Sequence, residues 1–147
     1  MNSEVVVIGG GAAGLMAAGT AANEGVETLI LERNERPARK LMITGKGRCN
    51  VTNNSDVQNV LANIPRNPRF LYSALSRLAP EDTMAFFESI GVPLKTERGN
   101  RVFPVSDRSQ SVLEALQRAI RYIFEETTLL RLMQGMYPYR GRIELPL

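Results

Sequence analysis

The chain contains no histidine and no tryptophan, and Cys49 is its single cysteine. Those absences exclude an intrachain disulfide framework, a zinc site of clustered His and Cys, and the Ser/His/Asp or Cys/His sets of nucleophilic hydrolases. A lone cysteine outside a CxxC pair also supplies no dithiol chemistry and reads as a small packing residue. Met1 to Glu4 carries an acid where a secretory signal carries positive charge, and glycines interrupt the apolar residues that follow. A cytoplasmic location is expected, so the sequons at Asn50 and Asn53 carry no meaning.

What is present is ordinary for a folded domain. The chain has 147 residues, 44% of them hydrophobic and 22% charged. A chain of this length buries about two thirds of its unfolded surface around one core. Val5 to Ala22 is uncharged and long enough to raise the question of a membrane span. Gly9, Gly10, Gly11, Gly14 and Gly19 break it into a Val/Ile block followed by small residues, so strand, turn and helix is the better reading and no membrane partner is expected. The net charge of +3 and pI near 9.3, with six basic residues between Arg33 and Arg48, suit an anionic ligand. Nucleic acid is the broadest such ligand, but few aromatics and no recognisable binding motif count against it.

Val5 to Ile8 reads as a parallel strand buried on both faces, and Thr28 to Leu31 as a second one. Between them Leu15, Met16, Ala17, Ala18, Ala21 and Ala22 make a helix of small residues ending near Gly25. Strand, glycine turn, helix and strand form a right-handed βαβ unit. Arg33 to Asn54 reads as a long, mostly irregular connection, and such loops usually have a function. Helices are expected at 56–63, 70–78 and 80–90, the last opening on Pro80 and closing at Gly91. Val92 to Thr96 and Arg101 to Val105 flank Gly99-Asn100 as a hairpin, with Pro93 and Pro104 restricting it to edge positions. Asp107 or Ser109 then caps a helix to about Phe124 with Val112, Leu113, Leu116 and Ile120 on one face.

Two clusters carry chemistry. Gly9 to Gly14 satisfies G-x-G-x-x-G after a strand and at the start of a helix, and Glu32 ends the next strand. In that pattern Gly9 makes the tight turn, Gly11 admits a pyrophosphate to the backbone, and Gly14 brings helix and strand together. The helix end offers free N–H groups and a partial charge of about half a unit. Glu32 can accept both hydrogen bonds of a ribose diol and repels a 2′-phosphate, which leaves FAD and NAD open and disfavours NADPH. The second cluster, KLMITGKGRCNVTNN from Lys40, fails the Walker A test, because Lys40 stands where the first glycine belongs and Gly47 follows Lys46. Its glycines, cations and Asn50, Thr52 and Asn53 offer donors to a large polar ligand, or form a solvated basic loop.

With VVVIGGGAAGLMAA and Glu32, RKLMITGKGRCNVTN, and KTERGNRVFPVSDRSQSVLEAL, the sequence resembles the bacterial flavoproteins of the BaiN-like and aminoacetone-oxidase-like type, which are FAD-dependent oxidoreductases with a glutathione-reductase-like fold. The resemblance covers about Val5 to Arg121. It implies an α/β, Rossmann-like FAD/NAD(P)-binding domain with a parallel sheet, further helices and a short β-hairpin. It also implies that Gly9, Gly11, Ala13 and Gly14 hold the FAD pyrophosphate and Glu32 the adenosine ribose, with Arg33 near the adenosine. Lys40, Thr44, Gly47, Arg48, Cys49 and Asn50 would lie along the pyrophosphate and flavin. A small-molecule substrate, with NAD(P)H as electron donor or oxygen as acceptor, is implied for full-length members. Lys46 or Arg48 is the candidate for stabilising negative charge on the reduced ring.

The resemblance implies an incomplete domain: residues 1–121 as the N-terminal part of the FAD-binding domain, and 122–147 as a divergent tail left by a truncated or frame-shifted gene. Missing later strands would leave an open apolar sheet edge for self-association. An FAD-dependent oxidoreductase present as its dinucleotide-binding portion is the leading expectation. A catalytically inactive remnant or nucleotide-binding module is the alternative, and a basic nucleic-acid binder the third.

Overall fold

In the computed structural model, which describes residues 4–34, 36–123 and 129–131, the chain divides into two units, Met1–Arg39 with Arg118–Leu147 and Lys40–Gln117. The first part of the chain contains β1 (Val5–Ile8), α1 (Ala12–Asn23), β2 (Thr28–Glu32) and α2 (Arg39–Ile43). There follow β3 (Thr52–Asn53), α3 (Val57–Ala62), α4 (Tyr72–Leu75) and α5 (Pro80–Ser89). The hairpin strands β4 (Leu94–Glu97) and β5 (Arg101–Pro104), then α6 (Ser109–Ile123) and β6 (Leu129–Arg131), complete the order.

In the first unit the strands run in the order β1-β2-β6. Both pairings are parallel, with Val5 opposite Thr28, Ile8 opposite Leu31, and Ile30 opposite Leu129. The central strand β2 is buried at every residue, as its unbroken apolar run requires. β1 departs from the expectation of burial on both faces: Val6 is 44% and Ile8 76% exposed. Among the described residues β1 pairs on one side, with β2, and alternation turns Val5 and Val7 to one face and Val6 and Ile8 to the other. Helix α1 packs on β1 and β2, burying Leu15 and Ala18. It stops where expected. Gly25 takes a φ of +78°, and the N–H groups of Gly25 and Val26 donate to Ala22 O and Ala21 O at 2.9 and 3.2 Å, closing the helix end in the manner glycine permits.

The second unit holds an antiparallel sheet in the order β3-β5-β4. The expected hairpin is present, with Glu97 opposite Arg101 and Leu94 opposite Pro104. Gly99 and Asn100 make its turn with φ of +76° and +57°, values that these two residue types tolerate best. Pro104 does not confine β5 to an edge as expected, because β5 is the central strand. The conflict is avoided by length, since β3 pairs only with Arg101 and Val102, and Pro104 lies beyond it. Helix α5 packs on β3 and β4. Asp82 accepts from Ala79 N at 2.8 Å at its start, and Val92 N donates to Phe87 O at 2.9 Å past Gly91. Asp56 caps α3 by accepting from Asn59 N at 2.7 Å.

Three further expectations are corrected. The segment 33–54 is not mostly irregular: it contains α2, a 3-10 turn at Thr44–Gly47 and β3. The helix expected over 70–78 is instead a 3-10 turn at Pro68–Leu71 followed by the one-turn α4; neither turn buries a residue, so the packing that sustains longer helices is lacking. The start of α6 is not capped by Asp107 or Ser109. Ser109 Oγ donates to Met42 O at 3.0 Å, and Asp107 is engaged by Lys95 and Arg48. The expected apolar face of α6 buries Val112, Leu113 and Leu116; the side chain of Ile120 and most of the predicted tail, 124–128 and 132–147, lie outside the described residues. Among the described residues no helix is long and apolar enough to cross a membrane.

Candidate functional site

The glycine turn of the first unit is built by steric exclusion. Gly9 has a φ of +103°, which reverses the chain after β1, and its N–H donates to Leu31 O at 2.8 Å. A Cβ on Gly14 would collide with the Gly9 carbonyl oxygen, so helix and turn approach this closely only with glycine there. Gly10 is less tightly constrained, since its Cβ would lie 3.1 Å from Pro37 Cβ and 3.2 Å from Glu32 Oε2, side-chain atoms that would have to give by a few tenths of an ångström. The Gly10 carbonyl also accepts from Ala38 N at 2.7 Å. By contrast, a Cβ on Gly11 would meet nothing within 4 Å among the described residues.

Gly11 is the residue at the cap of α1, in extended conformation and with no side-chain cap. The first turn, which includes Ala12 and Ala13, carries no acidic residue. The first N–H groups of a helix have no intrahelical carbonyl partner, and here no side chain caps them and no acidic residue competes for them, the arrangement that attracts an anion.

Glu32 is buried and already in use. Gly10 N donates to Oε2 at 2.7 Å, while Asn34 N and Asn34 Nδ2 donate to Oε1 at 2.8 and 2.6 Å. Burial pushes the carboxyl's pKa upward, but the hydrogen bonds from Asn34 and Gly10, with the charge of Arg33, outweigh it and hold the group below its ordinary value. The carboxylate thus does structural work, tying the end of β2 to the glycine turn. Arg33 is exposed. Gly9, Gly11, Ala13, Gly14 and Glu32 are brought to one end of the sheet; Gly10 and Asn34 belong with them and were missed. The motif pattern leaves Gly10 as a free position, and no spacing rule points to Asn34.

In the second unit, Lys40, Thr44, Gly47, Arg48, Cys49 and Asn50 fall on α2 and the tight loop after it. Gly45, Lys46, Gly47 and Cys49 all have positive φ, of 56°, 58°, 84° and 62°. Lys46 and Cys49 hold this conformation without glycine's freedom, a cost of about 1–2 kcal/mol per residue. Thr44 anchors the loop: its Oγ1 donates to Leu41 O at 2.9 Å and its carbonyl accepts from Cys49 N at 3.0 Å. Asn50, with its amide nitrogen assigned toward the sheet, donates to Val102 O and Thr52 O at 3.0 Å each. Lys40 and Lys46 are exposed.

Arg48 turns away from the role of a free cation. Its Nη2 lies 2.7 Å from Glu97 Oε1 and its Nε 3.0 Å from Asp107 Oδ1, and its guanidinium stacks 4.0 Å from the centre of the Phe103 ring. The two carboxylate contacts are close ion pairs whose N–H bonds do not point along them. Lys95 completes the group at 2.6 Å from Asp107 Oδ2. The hydrogen bond from Lys95, then the charge of Arg48, holds Asp107 below its usual range, and the same bond raises Lys95. Burial raises the Cys49 thiol, with a smaller opposing effect from Thr44.

Residues 3–132 match the sequence pattern of the HI0933-like protein Rossmann domain. Over 121 residues, 81% of this chain, the sequence is 36% identical to the 3-dehydro-bile acid delta(4,6)-reductase of Clostridium scindens and spans 29% of it. It is 29% identical over 77% of its length to the ribosomal RNA dihydrouridine synthase of Escherichia coli, spanning 28% of that protein. The chain thus covers less than a third of these relatives. Among solved structures, THI4 of Thermovibrio ammonificans superposes with a TM-score of 0.55 at 13% identity, covering 88% of this chain and 38% of that one. A flavocytochrome c3 fumarate reductase in its open conformation superposes at 0.52 and 18% identity, covering 86% and 26%. Those two likenesses establish the Rossmann-like fold.

Proposed function

This chain belongs to the HI0933-like Rossmann-domain family, and from that premise we propose that it is the N-terminal dinucleotide-binding portion of an FAD-dependent oxidoreductase, with the adenosine diphosphate half of FAD held by its first unit. The observation that carries the reading is the Gly9–Gly14 contact, which leaves no room for a Cβ and places an uncapped helix start, free of acidic residues, beside open space at Gly11. The donor set fits the group: backbone N–H groups for a diphosphate, and a carboxylate held in its ionised form for a sugar hydroxyl. Gly11, Ala13 and the N-terminus of α1 would bind the diphosphate, and Glu32 the ribose. Glu32 disfavours a phosphate on that ribose by charge repulsion.

When bound, the flavin supplies hydride or electron transfer, and the protein supplies placement and electrostatics. For the whole protein we infer a reduction, because the Clostridium scindens relative is named a reductase and the product named for the Escherichia coli one is a dihydro compound; NAD(P)H is the electron donor that the sequence resemblance implies. The test is reconstitution with FAD followed by a visible spectrum and equilibrium binding. A yellow protein that loses its colour on Gly14→Val is expected; a folded protein that stays colourless after reconstitution and takes up no FAD overturns the reading.

A further inference from the structure

Large apolar side chains in contact with water gather in one short stretch of the second unit. Among the described residues, Phe70 is 78%, Leu71 38%, Tyr72 56% and Leu78 45% exposed. They lie on the 3-10 turn at Pro68–Leu71, on α4 and just beyond it. That turn packs against α3 and α4, and neither it nor α4 buries a residue. Single exposed leucines are ordinary on a protein surface, whereas a group of large apolar residues marks a surface that another body covers.

The charge in this stretch has one sign. From Val57 to Pro80 the sequence holds Arg66, Arg69 and Arg77 and no carboxylate. All three arginines are exposed, and among the described residues none of them enters an ion pair. The backbone beneath is already set. Asn67, between Pro65 and Pro68, has a φ of +51° and accepts from Phe70 N at 3.1 Å, and Leu78 N donates to Ala74 O at 3.0 Å. Ser76 Oγ donates to Tyr72 O at 2.8 Å. Little backbone freedom is left to lose when the surface is covered.

Three unpaired arginines call for a partner rich in negative charge, and the apolar residues decide between two such partners. A single strand of nucleic acid stacks its bases on aromatic rings, which would use Phe70 and Tyr72 but neither leucine. An anionic bilayer uses all of them. Phenyl and leucine side chains enter the boundary of the hydrocarbon, a tyrosine hydroxyl stays at headgroup level, and arginines reach the lipid phosphates with their stems along the apolar surface. We propose that residues 66–78 form a docking surface for an anionic lipid bilayer, on which the protein rests without crossing it. Such contact needs no spanning helix, and among the described residues none is long and apolar enough to cross a membrane. The stretch belongs to the second unit, so the proposal does not depend on FAD binding by the first.

The chain has no tryptophan, so Phe70→Trp provides a single fluorescent reporter at an exposed position. The full chain and this variant are titrated with vesicles of phosphatidylcholine and of an equimolar mixture of phosphatidylcholine and phosphatidylglycerol, and binding is read by sedimentation and by tryptophan emission. Binding to the mixed vesicles is expected to be tighter by about tenfold or more, with the emission shifted to the blue as the indole leaves water. Arg69→Gln should weaken it about fivefold, whereas Arg98→Gln, which removes an exposed charge beside the hairpin turn, should change it by less than about twofold. Equal losses in these two variants, or sedimentation without an emission shift, would show attraction by net charge alone and overturn the proposal. Binding to a single-stranded RNA in place of the vesicles would overturn it in favour of the stacking surface. An emission already blue-shifted before vesicles are added, in a protein that sediments as a dimer, would mean that a second copy covers the patch and would overturn it as well.

Discussion

The carbonyl oxygen of Gly9 occupies the space that a Cβ on Gly14 would need, and Val7 Cγ1 stands 3.3 Å from the same point. Gly14→Ala therefore has to push α1 away from the turn, and we expect a loss of at least about 2 kcal/mol, the upper range for overpacking. Gly19 on the same helix supplies the control, because a Cβ there meets nothing within 4 Å. Gly19→Ala should stabilise by about 0.5–1 kcal/mol through backbone entropy alone. Chemical denaturation of both variants gives the comparison, and equal effects of the same sign would contradict the packing account.

Glu32 makes stability depend on pH with a definite sign. Its carboxyl in the folded chain lies below the ordinary value of 4.5, so the unfolded chain takes up a proton first as the solution is acidified. The contribution is fully present above that ordinary value and is lost as pH falls through the lower, folded one. Glu32→Gln should cost about 1–3 kcal/mol at neutral pH, because its amide nitrogen faces donors instead of accepting from them. The gap between variant and parent should narrow at pH values below about 4.5. A gap that stays constant on acidification would show that the carboxylate's charge is not what the Gly10 and Asn34 donors hold.

Much of this was legible in the residues themselves. The motif glycines, the buried β2, the end of α1 near Gly25 and the hairpin at Gly99-Asn100 each follow from a local rule with a short range. What was not legible depended on partners distant in the chain. Val6 and Ile8 carry the same β-branched signature as β2, and their exposure follows from the face of β1 on which they lie, which depends on what packs against that face and which no single strand encodes. Arg48 reads as a ligand-facing cation until Glu97 and Asp107, far along the chain, are seen beside it. The commitment of Asn34 to Glu32 likewise depends on a side-chain orientation that spacing does not reveal.

Gly45 and Phe103 should show coupled effects. A Cβ at Gly45 would lie 2.9 Å from Phe103 Cε1, and the residue has a φ of +56°. Gly45→Ala thus meets both a backbone penalty of about 1–2 kcal/mol and the ring. Phe103→Leu removes the ring, and with it the face on which Arg48 stacks. In that background Gly45→Ala should cost less than in the parent, with an interaction energy of about 0.5–3 kcal/mol, as expected for residues in contact. Additive losses in a double-mutant cycle would mean that the ring yields freely and the backbone conformation alone demands glycine.

Cys49 joins a buried thiol to a left-handed backbone. It is 4% exposed, and burial raises its pKa, so the reactive thiolate is scarcer at neutral pH than for a free cysteine. Alkylation of the native protein should be slow and should accelerate on addition of denaturant; rapid labelling without denaturant would count against the buried position. The backbone makes a separate demand. Because φ at Cys49 is +62°, Cys49→Val places a β-branched side chain where such residues are genuine outliers, whereas Cys49→Ala loses only the sulfur. Valine should therefore destabilise more than alanine, by about 1 kcal/mol or more, although it leaves no cavity where the sulfur was. The reverse order in a thermal or chemical melt would show that side-chain packing, and not the turn between Thr44 and Asn50, governs this position.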